Sequence, residues 1–210
     1  MTTWTFKAIL AGLALIVLAG CTEDFATLGK TGAGNQNTTV VMGGGRVALR
    51  APPGFCIDPA SVTKSGRDGF AMLARCNRLS PETAIATLSG QSPAVVTVST
   101  KPWTLGDQPI TATTIADAYP QGMVIEQRNG PVVPMVKARG GAPERSGLGK
   151  VHWRSAFVVN DQLVVLGLFA PENSRAVGAT GASLLGQLAQ RTMSASRQIA
   201  VPIAATAAKE

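Results

Sequence analysis

Val151-His152-Trp153-Arg154-Ser155-Ala156-Phe157-Val158-Val159-Asn160-Asp161-Gln162-Leu163-Val164-Val165-Leu166-Gly167-Leu168-Phe169 reads as two strands folded about one short turn. Residues 151–159 and 162–169 are dense in valine, leucine and aromatic side chains, and the polar pair Asn160-Asp161 between them is turn chemistry. Folding about that pair sets Phe157 opposite Val164, Trp153 opposite Leu168 and Val158 opposite Leu163. Apolar residues then fall on both faces. A strand pair covered on both sides belongs in the interior of a sheet, so this hairpin is expected at its centre.

Further strands lie upstream. Residues 123–128 and 131–138 flank Asn129-Gly130, the favoured pair for a type I′ turn. Pro131 and Pro134 cannot donate to a ladder, which predicts that the second of these strands lies at a sheet edge. Residues 46–51 alternate before Pro52-Pro53-Gly54, and 69–76 and 94–100 also read as strands. Helices are few. Leu184, Leu185, Leu188, Ala189 and Met193 form one face of a helix over 182–197, and a shorter helix around 113–119 is stopped by Pro120. The expectation is an α+β domain over 46–198, an antiparallel sheet of hairpins with a C-terminal amphipathic helix packed on one face. Hairpins followed by a terminal helix are similar in architecture to the PsbP/Mog1-type sandwich, a fold used mostly by binding and assembly factors. No residue motif carries that likeness.

The N-terminal residues carry an expectation of where such a domain works. Ala8 to Leu18 holds no charged or strongly polar residue, Lys7 precedes it, and Leu18-Ala19-Gly20-Cys21 closes it. At about 1.5 Å per residue the run is too short for a bilayer core of about 30 Å, which needs about 20 residues. It suits the apolar region of a signal peptide. Leu18 to Cys21 resembles the lipobox of bacterial lipoproteins, cut by signal peptidase II before a cysteine that then carries acyl chains. The resemblance implies a signal peptide over 1–20, lipidation of Cys21, and attachment to a membrane facing the periplasm. Thr22, rather than Asp, follows the cysteine, which by the same resemblance favours the outer membrane over the inner. Residues 21–45, rich in Gly, Thr and Asn, then read as the lipidated cysteine and a flexible tether, with room for a short strand at 40–42. The Ala-rich residues 199–210 read as a loose tail. Ala51-Pro52-Pro53-Gly54-Phe55-Cys56-Ile57-Asp58, with Cys76 and Trp153-Arg154, is similar to small envelope lipoproteins of alphaproteobacteria, a likeness that implies location and no chemistry.

With Cys21 taken by lipid, Cys56 and Cys76 remain as an even pair in an oxidising compartment. Their midpoint is Gly66, inside Lys64-Ser65-Gly66-Arg67-Asp68-Gly69. A hairpin about Gly66 would set Cys56 opposite Cys76, Val62 opposite Phe70 and Lys64 opposite Asp68, favouring a cross-strand disulfide. Pro59 implies a bulge or an edge position in the first strand. The alternatives are two free thiols or a redox pair, although no C-x-x-C is present.

The formal charge of +7 falls to +6 once residues 1–20, whose only charge is Lys7, are set aside. Arg46, Arg50, Arg75, Arg78, Arg128, Arg139, Arg154 and Arg175 are scattered without a dense run or interleaved aromatics, so nucleic acid is not an expected partner. Gly29-Lys30-Thr31 resembles the end of a phosphate-binding loop, but no strand precedes it and Asp24 stands at the first glycine position. Lys30-Thr31-Gly32 lacks the preceding Asp that accepts phosphate in P-type ATPases. Ser61-Val62-Thr63-Lys64 matches the S-x-x-K of penicillin-binding enzymes. On a strand, however, Ser61 and Lys64 point to opposite faces. His152 is the only histidine and no G-x-S-x-G is present, so neither a triad nor a His-rich metal site can be assembled. Trp103 reads as a core residue or a recognition aromatic. The expectation is a non-catalytic, lipid-anchored binding or envelope-assembly module with no catalytic residue, cofactor or metal site, and an envelope protein as its partner. The alternatives are an envelope hydrolase with dispersed catalytic residues, or a protein that binds a lipidic or small ligand at the sheet–helix interface.

Overall fold

The hairpin at 151–169 forms in the expected register, with Phe157 against Val164, Trp153 against Leu168 and Val158 against Leu163. Asn160 and Asp161 both take positive φ, 49° and 56°, as a type I′ turn requires. The computed structural model describes residues 37–79, 94–106, 108–140 and 147–200. In chain order their elements are β1 (Thr39–Met42), β2 (Val47–Arg50), β3 (Phe55–Ser65), β4 (Asp68–Arg75), α1 (Cys76–Leu79), β5 (Val95–Pro102) and α2 (Ala112–Ala116). Then come β6 (Val124–Asn129), β7 (Pro134–Arg139), β8 (Val151–Val159), β9 (Gln162–Phe169), a 3₁₀ turn (Arg175–Val177) and α3 (Ala179–Ala200). β3 to β9 form one antiparallel sheet in the order β3-β4-β5-β9-β8-β7-β6, and β1 and β2 form a separate pair. β8 and β9 are interior strands, and the α+β class with α3 against the strands is as expected.

Alternation of side chains gives the sheet two different faces. On one, Leu73, Val96, Val98, Leu166, Leu168, Trp153 and Phe157 pack with Leu185, Leu188 and Ala189 of α3 and with Met42, Leu49 and Phe55. Full burial of each leucine contributes about 1.5–3 kcal/mol. Trp153 is wholly buried. Its indole N–H donates to the carbonyls of Val177 (3.1 Å) and Gly178 (3.2 Å), fixing the 3₁₀ turn that leads into α3. Lys137 and Arg128 lie over its ring, 4.7 and 5.3 Å from the centroid. Glu126 pairs with both cations. The Arg128 hydrogen bond and then the Lys137 hydrogen bond hold its carboxyl below the usual range.

The second half of α3 does a different job. Ser196 and Thr192 are fully buried, and their hydroxyl oxygens accept from the backbone N–H groups of Ala48 and Arg50. β2 pairs with β1 along one side, so these hydroxyls satisfy donors that would otherwise be buried unpaired along the other. The helix starts at Ala179 and runs to Ala200, longer at both ends than the apolar spacing over 182–197 indicates.

Four expectations are corrected. The tether does not extend to residue 45: β1 pairs with β2 through Met42 and Val47, and Met42 is buried in the core. The pair closes through Gly43-Gly44-Gly45, all at positive φ (63°, 65° and 85°), which glycine adopts without steric cost. Asn129-Gly130 is not a type I′ turn either. Asn129 pairs with Pro134, leaving 130–133 as the connection, and neither Asn129 nor Gly130 has positive φ. Pro131 has no N–H to give, so the ladder cannot begin at once, and it starts at Pro134, the first residue of β7. That placement also explains why β7 is an inner strand between β6 and β8: both prolines precede the positions that must donate. Finally, Cys56 lies opposite Ala74, not Cys76. The hairpin turns on Gly66-Arg67, with Ser65 opposite Asp68, and the register shifts between Asp58 and Thr63, where Pro59 sits. The disulfide forms nevertheless, from β3 to the first residue of α1, with the two Cα atoms 4.7 Å apart.

Candidate functional site

The face turned away from α3 carries His152, Arg154 and Ala156 from β8 and Leu163, Val165 and Gly167 from β9. α2 lies on this face, with Ala112 and Ile115 packed on Val136 and Ala156. Its start is fixed by a reciprocal cap in which Thr111 Oγ1 accepts from Thr114 N–H while the Thr114 hydroxyl accepts from Thr111 N–H. Tyr119 closes the turn that follows, its N–H donating to the Ala116 carbonyl. Between α2, the loop after β5 and the sheet is a cavity of about 440 Å³, bordered by Trp103, Leu105, Ile115, Tyr119, Arg154 and Val165 among others. Its size falls in the usual range for small-molecule sites, about 300–1,000 Å³.

The polar end of the cavity is one directed chain. Arg154 Nε–H donates to Tyr119 Oη (3.2 Å), and Tyr119 Oη lies 3.0 Å from His152 Nε2. With Arg154 donating to the phenol oxygen, the phenol proton is available to His152 Nε2, and the histidine Nδ1–H faces the Lys150 carbonyl at 3.5 Å. The imidazole is 2% exposed and stacked on Phe169, 4.9 Å between centroids. Burial first, and then the Arg154 charge, push its pKa below the ordinary value, outweighing its hydrogen bonds to the backbone of Lys150 and Gly140. His152 is therefore neutral at pH 7 and serves as an acceptor. The arrangement can hold an apolar body and orient one polar group beside Arg154.

The depressed pKa has a sign that can be measured. An unfolded chain protonates His152 near pH 6.5 while the folded protein does so only at lower pH, so stability is complete above about 6.5 and falls as pH drops through the folded value. Because His152 is the only histidine, the urea midpoint should decline between pH 7 and 5.5 in the parent and decline less in His152→Gln. Equal slopes would show that His152 is not the titrating group.

Ser61 lies in the irregular part of β3, where its hydroxyl donates to the Asp58 carbonyl (2.7 Å) and accepts from Met72 N–H (2.8 Å). It replaces a ladder partner at the register shift and is no partner for Lys64. Trp103 is half-buried at the cavity rim, with its indole N–H donating to the Gly106 carbonyl (2.7 Å). It is thus neither a deep core residue nor an isolated loop aromatic. Cys56 and Cys76 are joined, away from the residues that line the cavity. Cys21, the Leu18–Cys21 motif, residues 29–32 and the tail beyond residue 200 lie outside the described residues. No group of three or more His, Cys, Asp or Glu that could hold a metal occurs among the described residues. No helix among them is long and apolar enough to cross a membrane.

The ligand-binding alternative puts its cavity at the interface of the sheet and the C-terminal helix, whereas this cavity lies under α2 on the opposite face. Tyr119, the only tyrosine in the chain, was missed as the bridge between Arg154 and His152. The usable signal was the even spacing of His152, Arg154 and Ala156, which puts them on one strand face. A second cleft of about 330 Å³ lies between α3 and the 130–133 connection. No protein-family model, curated protein or solved structure matches the chain.

Proposed function

We propose that this protein is a lipid-anchored, non-catalytic binding module of the bacterial envelope, held on the periplasmic side through acyl groups on Cys21. The binding reading rests on one observation, the preformed apolar cavity between α2 and the sheet with a polar group chain at one end. That cavity favours a small apolar ligand over a broad protein interface as the thing bound. The anchoring reading rests on the lipobox resemblance of Leu18-Ala19-Gly20-Cys21.

Each half has its own test. Cells fed labelled palmitate should label the parent protein, and Cys21→Ser should lose the label and leave the outer-membrane fraction. A labelled Cys21→Ser protein would refute lipidation at this position. For binding, the uncharged fluorophore N-phenyl-1-naphthylamine should bind the parent saturably. Ala156→Phe, which puts a ring where the lining has a methyl group, should weaken that binding by at least about tenfold, or about 1.4 kcal/mol. Unchanged binding in Ala156→Phe would place the apolar site elsewhere.

A further inference from the structure

The cavity is lined almost wholly by hydrocarbon, yet one of its walls carries a guanidinium. Arg154 is the only charged residue among those lining it. Lys137 and Arg128, two other cations of this sheet, share Glu126. Arg154 has no carboxylate within salt-bridge distance among the described residues. Its Nε–H is committed to Tyr119, which leaves the two Nη groups to donate elsewhere.

The backbone beneath this head group is shaped to receive it. Arg154 lies opposite Gly167 in the β8–β9 ladder. A Cβ at Gly167 would lie 3.3 Å from Arg154 Nη1 and 2.8 Å from Thr97 Oγ1. The missing side chain therefore leaves room for both Arg154 Nη1 and the Thr97 hydroxyl beside the Gly167 backbone. A half-buried cation against apolar walls is costly unless an anion accompanies it. A planar guanidinium presenting two parallel N–H donors matches a carboxylate in geometry and charge. A phosphate would bring a larger charge, and no second cation lines the cavity to meet it.

We propose that this cavity binds an aliphatic carboxylate, with the carboxylate on the Arg154 Nη groups and the hydrocarbon tail among Leu105, Ile115, Leu163 and Val165. The inference rests on the reading of the cavity as a ligand site and adds the chemical class of the ligand. Tyr119 is a positioning residue: it takes the Nε–H and turns the guanidinium's other edge toward the cavity.

The test compares decanoate with decanol, which share a chain and differ in charge, on the exported protein carrying Cys21→Ser so that no acyl group of its own competes. Trp103 at the cavity rim supplies the fluorescence signal. Decanoate at pH 7.5 is expected to bind at least about tenfold more tightly than decanol, the scale of a hydrogen bond to a charged group. Arg154→Leu should bring the two within about twofold by weakening decanoate alone, and Arg154→Lys should restore part of the preference. Should Arg154→Leu fail to fold by circular dichroism, the parent pair and Arg154→Lys still decide. Equal binding of both ligands to the parent would overturn the carboxylate assignment and leave the cavity as an apolar site. Decyl phosphate binding about tenfold more tightly than decanoate would overturn it in favour of a phosphate. No saturable binding of any of the three would overturn both readings.

Discussion

Trp153→Ala should lower the free energy of unfolding by about 3–5 kcal/mol, read as a shift of the urea midpoint followed by circular dichroism. Two losses add. The indole is wholly buried among residues of both the sheet and α3, so its removal leaves a cavity as well as lost apolar contact. Its N–H is also the donor to the Val177 and Gly178 carbonyls, at the point where the chain enters α3. Trp153→Phe separates the terms: the ring fills most of the space, and the unmet carbonyls alone should cost about 1–3 kcal/mol. Against a total stability of about 5–15 kcal/mol, the alanine variant should be marginal at 37 °C. A loss below about 1 kcal/mol would mean that the 3₁₀ turn is not pinned to β8 in the way described.

Replacing both cysteines of the Cys56–Cys76 bridge by alanine should cost about 3 kcal/mol, the chain-entropy value for a closed loop of this length. The bridge spans a sequence separation of 20 and encloses all of the β3–β4 hairpin except Phe55. That hairpin holds one of the sheet's two edge strands and a register shift within it, so its own ladder is interrupted. The cross-link fixes the end farthest from the Gly66-Arg67 turn. The parent should lose the same stability in dithiothreitol, whereas the double variant should be indifferent to it. A parent whose urea midpoint does not move on verified reduction would show that the bridge contributes nothing to stability.

The interior of the fold was legible because its chemistry is redundant. In 151–169 the apolar residues of both strands, their β-branching and the Asn160-Asp161 pair all specify one register, and the structure holds that register. The errors fell where proline competes with a local turn signal. Pro131 delays pairing after Asn129-Gly130, and the irregular stretch around Pro59 offsets the β3–β4 register, so Cys56 meets Cys76 across a strand end. The site was less legible for a different reason. Its walls come from residues far apart in the chain, such as Trp103, Ile115, Tyr119 and Arg154, and none of these forms a motif. What distinguishes Arg154 is its place as the one charged residue in an apolar lining, and that can be seen only once the strands are assembled. Likewise strand geometry sets the S-x-x-K match at Ser61 aside, but the sequence does not reveal that the Ser61 hydroxyl replaces a ladder partner for Met72.

The sheet's register shifts are confined to its rims. Both lie in the outermost ladders, β3 with β4 and β6 with β7, while the inner ladders run without interruption. β3 carries Pro59 at its irregular stretch, and β6 carries Glu126 and Arg128 beside its own. A rim strand that is kinked, proline-bearing or charged is a poor template for another chain. Proteins crowded on a two-dimensional surface meet one another edge to edge far more often than in dilute solution. On the lipid-anchored reading proposed above, these two rims would let many copies share a membrane patch without zipping into a continuous sheet.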